Sequence, residues 1–592
     1  MPWSGKAWQP WIEDNKYIRN VGPEVRGNNV NSVEALARIL GSSMGPRGLS
    51  KIILPAPPQK PKITCDGMTI LRNLEILHPT AKMVREVGVS QAEQVGDGVI
   101  SAAILSFELL KKAKQLSDQK LHPTIIVAGY SKALRYCLDT IQKISIPVSW
   151  NDRDILYKIA LTSASTKSAG IDAERLAKCA AEALPHVVEE QGGKLVPQLR
   201  RISVLKKVWG TTLYTRLVRG MVFDRPLFHK GMPKKTANAR IAILKTGLEI
   251  KKWYERRFRP LAKIEVSTPE ALRSYFKDRK KVINYQVDMI RKAGANVIVT
   301  SSRADDEQAS LLAKNGIQMV TAVAGEGGVG RLAHATGGKV VSSLDDLTPN
   351  DLGYAAMAEE IGHGESKLFV VEGCKDPRAV TILITGAVES ILDESERAVH
   401  SALGAVADIA KDPRIVGGGG ALEAELAYLV RKHAPKFPGK QQLAILAFAD
   451  GLEGMIKVLA KNLGLDPIES AVKLRVAHSE GRKPWIGLSP HSREGFDTLK
   501  NDIIEPAIVR EQALRSATEL ACQILRIDER LVADQRPKYM PGEIPGIGDL
   551  HLGTKAMGPS FGPEDLPDAT KKALKKGRFL RPPGSRFKPN PL

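Results

Sequence analysis

Aromatic residues make up only 5% of this 592-residue chain, so the stacking platform expected of a single-strand nucleic-acid binder is sparse. Cysteine is scarcer still. The five, Cys65, Cys137, Cys179, Cys374 and Cys522, have neither the close pairing of a zinc site nor the density of a disulfide-stapled secreted scaffold, and read as reduced, small apolar residues. No run approaches the roughly 18 apolar residues needed to cross a bilayer. The longest candidate, Gly98 to Leu110, is short and contains Glu108. The opening Met-Pro-Trp-Ser-Gly-Lys lacks the apolar core of a signal peptide. Together these absences predict a soluble cytoplasmic protein with no membrane partner.

Hydrophobic residues are 43% and charged residues 26% of the chain, enough apolar material for several cores, and wholesale disorder is excluded. The length predicts roughly three or four domains. Charge is less ordinary: 87 Lys and Arg against 65 Asp and Glu leave +22. That excess suits an acidic partner, whether nucleic acid, anionic lipid, acidic polypeptide or nucleotide, and a solvated basic surface explains it equally.

The spacing of Val33, Leu36, Ile39 and Leu40 predicts a helix over Asn31 to Leu40, stopped by Ser43-Met44-Gly45-Pro46-Arg47-Gly48. Ile52 to Leu54 reads as a strand that returns through Ile63 and Thr64 after a Pro-rich excursion, Pro55 to Pro61, which makes a hairpin with a long tip. Further helices are predicted over Thr80 to Gln94, Val99 to about Leu116, Pro123 to Ile144 and Asp172 to Glu190. After about residue 215, short β-rich runs such as Ile241 to Leu244, Val297 to Thr300 and Val380 to Ile384 alternate with amphipathic helices such as Glu270 to Lys292, the texture of an α/β domain. From Glu389 long helices return: Ser395 to Ala410, Ala421 to Lys432, Gln441 to Leu463, Pro467 to Val476 and Ile504 to Leu525. A helical base interrupted by an inserted domain, its two flanks folding together, explains this order economically. From Met540 the chain is rich in Gly and Pro, and Lys571 to Leu592 carries eight basic residues and no acidic one, which predicts a mobile tail.

Three glycine-rich segments are candidates for one phosphate-binding pocket. Gly45-Pro46-Arg47-Gly48 offers backbone N–H groups without a Cβ in the way. Gly96-Asp97-Gly98 precedes a helix whose positive end suits phosphate, and its carboxylate suits Mg²⁺. Gly417-Gly418-Gly419-Gly420 again stands directly before a helix. A helix cap or tight turn explains any one of them alone. None is a Walker A loop or a dinucleotide fingerprint.

Their combination is more specific. Ser43 to Gly48, Cys65-Asp66-Gly67-Met68-Thr69-Ile70-Leu71, His78-Pro79-Thr80-Ala81-Lys82-Met83 and Val95-Gly96-Asp97-Gly98, in this order and spacing, closely resemble the first half of a group II chaperonin subunit, the archaeal thermosome and eukaryotic cytosolic type. The resemblance continues at His122 to Ile126, Met232-Pro233-Lys234-Lys235, Val371 to Lys375, Gly417 to Ala421, Gly464-Leu465-Asp466-Pro467-Ile468 and Ile504-Glu505-Pro506-Ala507. It covers roughly residues 15–535, with the departures of a divergent member.

The resemblance implies a multi-domain α and α/β subunit. A mainly helical equatorial domain would comprise 1–145 and 403–538, and a small intermediate domain 146–215 and 367–402. An inserted α/β apical domain, 216–366, would carry a helical lid protrusion near Lys251 to Arg291, and 539–592 would be the basic tail. Such subunits enclose unfolded clients in two stacked rings and consume ATP with Mg²⁺. Carried over by position, Gly45, Pro46, Gly48, Gly98, Val99, Ile100, Ser101, Gly418, Gly419 and Gly487 would bind nucleotide. Asp97 would hold Mg²⁺, Asp66 would position the attacking water, Glu505 would face the ribose hydroxyls, and Lys167 would sense the γ-phosphate. A solvated lysine near a helix start is the plainer reading of Lys167.

Two departures bear on activity. Val99 and Ile100 stand where the family has hydroxyl residues, though Ser101 is nearby, and Ser401 stands where its catalytic aspartate is expected. A neutral hydroxyl cannot take a proton from water as a carboxylate can, and losing a positioned general base costs about 10² to 10⁴ in rate. His400 would project from another part of its helix, and Asp408 and Asp412 lie about two to three turns on. The resemblance, with these departures, implies a subunit that binds ATP, hydrolyses it slowly and works beside competent neighbours, its basic tail available to acidic clients. A non-hydrolysing scaffold is the alternative, and a basic nucleic-acid binder ranks third.

Overall fold

The computed structural model describes residues 17–54, 60–167, 173–210, 214–248, 268–321, 323, 326–363, 366–479, 484–489 and 492–533. Its contacts group Arg19–Leu531 as one unit and the two ends, Met1–Ile18 with Val532–Leu592, as another. The tail and residues 251–267 of the expected lid lie outside the described residues; the rest of that expectation falls on the helix Pro269–Ala293.

Both flanks of the chain build one helical core. Pro23–Gly41 opens with Pro in its first turn, where a missing N–H costs nothing and φ is already helical. Pro79–Val95, Val99–Asp118 and Pro123–Ile144 follow from the first flank. Ala421–His433, Lys440–Leu463, Pro467–Ser479 and Ala507–Leu525 come from the second. Leu40, Leu105, Leu109 and Tyr130 share one apolar cluster with Phe448, Leu452, Ala517 and Ile524. Val99–Asp118 is buried on nearly every face, which accounts for its long apolar run. Tyr130 meets Phe448 edge-on and donates its hydroxyl to the Leu109 carbonyl at 2.8 Å. Among the described residues no helix is long and apolar enough to cross a membrane.

The middle of the chain forms a second, α/β core around Ile241, Ile243, Ile298, Phe369 and Val371. Its sheet runs in the order Gln318–Val320, Val297–Thr300, Lys235–Leu244, Gly353–His363, Ser366–Glu372, Gly220–Phe223, with Val340–Val341 also on Lys235–Leu244. Lys235–Leu244 pairs parallel with Val297–Thr300 and with Val340–Val341, Val297–Thr300 pairs parallel with Gln318–Val320, and the remaining pairs are antiparallel. Val297–Thr300 and Gln318–Val320 are buried along their whole length, as is the Ile241 to Leu244 end of Lys235–Leu244, the pattern of parallel strands covered on both faces. A third cluster joins Arg153–Ser165, Ala173–Ala183 and Glu389–Lys411 to a small sheet of Ile202–Val208, Val380–Gly386 and Arg216–Val218.

The helices expected from Asn31 and from Ser395 begin earlier, at Pro23 and Glu389, and two others are cut short by proline. The stretch expected as helix to Glu190 is helical only over Ala173–Ala183, then passes through the short turn Leu184–His186 into the strand Val188–Gln191. Pro185 breaks it, and Gly192-Gly193, with φ of 59° and 75°, turns the chain back into Lys194–Pro197. Asp172 lies outside the described residues. The helix expected from Ile504 begins at Ala507, because Pro506 drives Glu505 into extended backbone. Ile504–Pro506 pairs with Arg414–Gly417, placing Glu505 opposite Val416 beside the glycine run.

Candidate functional site

A cavity of about 670 Å³ opens where these elements meet. Gly45 and Pro46 line it from the loop after the first helix, Asp66 from the start of Gly67–Asn73, and Asp97, Gly98, Val99, Ile100 and Ser101 from the next helix start. Lys167, Gly419 and Glu505 complete the expected set. The remaining expected residues stand behind the lining. Gly48 donates its amide to the Gly45 carbonyl at 3.0 Å and closes that loop. Gly418 lies under Glu505, and Gly487 backs onto the Gly419 carbonyl. Val99 belongs to the helical core and Ile100 packs against it, so neither brings a polar side-chain group to the cavity.

Asp97 owes its place to a close backbone approach. A Cβ on Gly96 would fall 2.6 Å from the Gly404 Cα, so the loop and the Glu389–Lys411 helix touch backbone to backbone. Gly98, with φ of 81°, caps the following helix in the left-handed region that favours glycine. The Asp97 Oδ1 accepts from the Gly98 amide at 2.7 Å, and Oδ2 accepts from the Ser163 hydroxyl at 2.6 Å. Asp66 caps its own helix, its Oδ2 accepting from the Thr69 amide at 2.9 Å and hydroxyl at 2.8 Å.

Lys167 bridges the two carboxylates. Its Nζ lies 3.4 Å from Asp66 Oδ1 and 3.4 Å from Asp97 Oδ1, and it also donates to the Ser401 hydroxyl. Burial pushes the Asp66 carboxyl up, but the Lys167 ammonium and the Thr69 hydrogen bonds outweigh it and hold the group below the usual carboxylate range. Burial likewise works against the Lys167 charge, and Asp97 and Asp66 overcome it, raising the ammonium above its ordinary value. Neighbouring Cys65 is no nucleophile: burial and the Glu394 carboxylate push its thiol up to about 12.

Ser401 is buried behind Lys167, 3.3 Å from the Ser163 hydroxyl, whereas adjacent His400 is exposed. The carboxylates farther along that helix are engaged elsewhere. Asp408 pairs with Lys411 at 2.8 Å, burial pushing it up to about 7, and Asp412 pairs with Arg414.

At another part of the cavity Arg510 grips Glu505 through two nitrogens, Nη2 reaching Oε1 at 2.7 Å and Nε reaching Oε2. Its Nη1 reaches the Ser101 hydroxyl at 3.1 Å and Glu423 Oε1 at 3.1 Å. Burial pushes Glu505 up despite Arg510, with Glu423 and Asp97 adding to the rise. Arg510, Glu423 and Ser163 are absent from the sequence expectations. The available signal for the first two is a charge on an otherwise apolar helix face; Ser163 gives none.

A model of the TCP-1/cpn60 chaperonin family matches residues 36–535. The chain is similar to the thermosome subunit beta of Sulfurisphaera tokodaii, 41% identical over 525 residues that cover 89% of this chain and 94% of that protein. The thermosome subunit beta of Saccharolobus solfataricus is 41% identical over 523 residues, 88% of this chain and 93% of its own. The thermosome subunit of Pyrococcus horikoshii is 40% identical over 539 residues, 91% of this chain and 97% of its own.

Proposed function

This chain belongs to the TCP-1/cpn60 chaperonin family, on the group II side with the thermosome subunits, and from that premise we propose that it is one subunit of an ATP-dependent folding assembly with weakened hydrolysis of its own. The observation that carries the reading is the single cavity on which Gly45, Asp66, Asp97, Gly98 and Gly419 converge from distant parts of the chain. The Val99–Asp118 helix begins at that cavity, and its first-turn amides suit phosphate oxygens. In this reading the helical core is the equatorial domain, the α/β core the apical domain, and the third cluster the intermediate domain. Subunits would stack in two rings around unfolded clients.

Mg²⁺ fits the donor set. Asp97 and Asp66 offer hard carboxylate oxygens, and among the described residues no cluster of three or more His, Cys, Asp and Glu encloses a metal. Two carboxylates suit an ion held by one or two protein oxygens together with phosphates, whose charge it screens. Asp97 would hold it, Lys167 would turn to the γ-phosphate, and Asp66 would orient the attacking water. Ser401, neutral and hydrogen-bonded to Lys167, supplies no base, so turnover falls by about 10² to 10⁴. The same residue favours a second reading, a subunit that keeps the architecture and never turns ATP over.

Single-turnover hydrolysis on the isolated protein, alone and mixed with a complete chaperonin subunit, tests both. Mg²⁺-dependent ATP binding with slow turnover is expected, and Ser401→Asp is expected to raise the rate by about 10² or more. Closure coupled to turnover supports the first reading; binding with no turnover in any mixture supports the second. Full-rate turnover unchanged by Ser401→Asp overturns the weakened-site reading.

A further inference from the structure

We propose that Arg510 is a positioning residue that fixes the Glu505 carboxylate as an acceptor for the sugar hydroxyls of the nucleotide, so that the cavity selects ribose over deoxyribose. The inference rests on the nucleotide reading above and names a determinant of its specificity.

Arg510 ties four elements together: Ser101 on Val99–Asp118, Glu423 on Ala421–His433, Glu505 on Ile504–Pro506, and its own helix, Ala507–Leu525. All four side chains line the cavity. Two carboxylates against one guanidinium leave this group one negative charge, which disfavours a phosphate and favours a hydroxyl donor. An ionised carboxylate only accepts hydrogen bonds, and each oxygen has room for more than one. The Glu505 oxygens each accept one from Arg510 and retain capacity for a sugar hydroxyl. The guanidinium fork is planar and rigid, so the two-point grip sets the plane of the carboxylate. Gly418 keeps the other side tight: a Cβ there would lie 2.9 Å from Glu505 Oε1.

Among the described residues, the charged groups that act most on Glu505 are Arg510, Glu423 and Asp97. Burial and the two carboxylates favour its proton, and Arg510 opposes them. Without Arg510 the carboxyl takes up a proton more readily, and part of its acceptor capacity becomes a donor. Lysine at this position would keep the charge but lose the fork.

The test is calorimetric binding of Mg-ATP and Mg-2′-deoxy-ATP to the full chain across the neutral pH range, for wild type, Arg510→Met and Arg510→Lys, each checked for wild-type circular dichroism. Wild type is expected to prefer ATP. Arg510→Met is expected to lose roughly tenfold in ATP affinity and nearly nothing for the deoxy analogue. Its ATP affinity should recover in part as pH rises and Glu505 ionises. Arg510→Lys should remove the pH dependence and restore only part of the preference. A parallel loss for both nucleotides at every pH, in whichever variant folds, shows that Arg510 only holds the fold and overturns the inference. Wild-type protein that binds both equally overturns it while leaving the nucleotide reading intact, and wild-type protein that binds neither overturns that reading itself.

Discussion

Among the described residues Lys167 is the ammonium paired with both Asp66 and Asp97, and the unliganded site depends on it. Replacing it with Met leaves two carboxylates side by side in a partly dry pocket, and removing one partner of a buried pair costs about 3 kcal/mol. The sign of the pH dependence follows from Asp66, whose folded-state carboxyl is held below its unfolded value. Its contribution is complete above about pH 4 and is lost as pH falls through the lower folded value. Lys167→Met should therefore melt well below wild type at neutral pH, and the gap should narrow in acid. Added Mg²⁺, without nucleotide, should also narrow it by supplying the missing positive charge. A gap that ignores both acid and Mg²⁺ would mean that Lys167 contributes packing alone. Asp66 and Asp97 are legible in sequence because each lies inside a short glycine-bearing string whose local geometry carries its meaning. Arg510, Glu423 and Ser163 acquire theirs only from groups brought close by folding, Arg510 from Ser101 on the opposite flank, and no local pattern marks such a meeting.

Among the elements, Glu453 pins three helices. From within Lys440–Leu463 it accepts from Arg431 on Ala421–His433 and from Arg475 on Pro467–Ser479, at 3.0 Å from Nε and 2.7 Å from Nη2. Burial works to raise its carboxyl, but the two guanidinium groups prevail and hold it below the usual range. The clasp is thus fully stabilising above the unfolded glutamate value, about 4.3, and weakens as pH falls through the folded one. Glu453→Gln should lose about 3 kcal/mol near neutrality. Melting curves of the two proteins should converge below about pH 4; parallel curves down to that range would contradict the clasp. Helix positions were readable here because Pro and Gly punctuate this flank: Gly439 precedes Lys440–Leu463 and Gly464 caps it in left-handed backbone. Pro185 and Gly192-Gly193 punctuate the chain in the same way, but the alanine-rich Ala173–Ala183 helix masks the strand that follows. At Ile504 the apolar spacing of the helix runs straight through Pro506. Periodicity alone cannot separate a short strand from a first helical turn.

For the molecule as a whole, the order α, α/β, α in the sequence foretold how its cores are shared. The α/β core draws on one continuous stretch, Met221 to Ala379, and its central strand Lys235–Leu244 is paired on both sides within that stretch. The helical core does not: Val99–Asp118 from the first flank packs with Lys440–Leu463 and Ala507–Leu525 from the second. A fragment folds alone when the apolar surface that it buries offsets the entropy of ordering its chain. Residues 220–379 expressed alone should therefore give a cooperative thermal transition and dispersed amide resonances. Residues 19–145 alone would leave Leu105, Leu109 and Tyr130 without Phe448 and Leu452, and should show neither signature. Co-expression with residues 403–533 should restore both, because the two flanks complete one core rather than two. If the first flank folds by itself, that core is divisible and the sharing argued here is incidental. If 220–379 stays unfolded while the intact chain melts in one transition, the α/β core depends on its neighbours, in particular on the small cluster of Val218, Val222, Leu368, Val370 and Leu383 that joins its sheet to the strand Val380–Gly386.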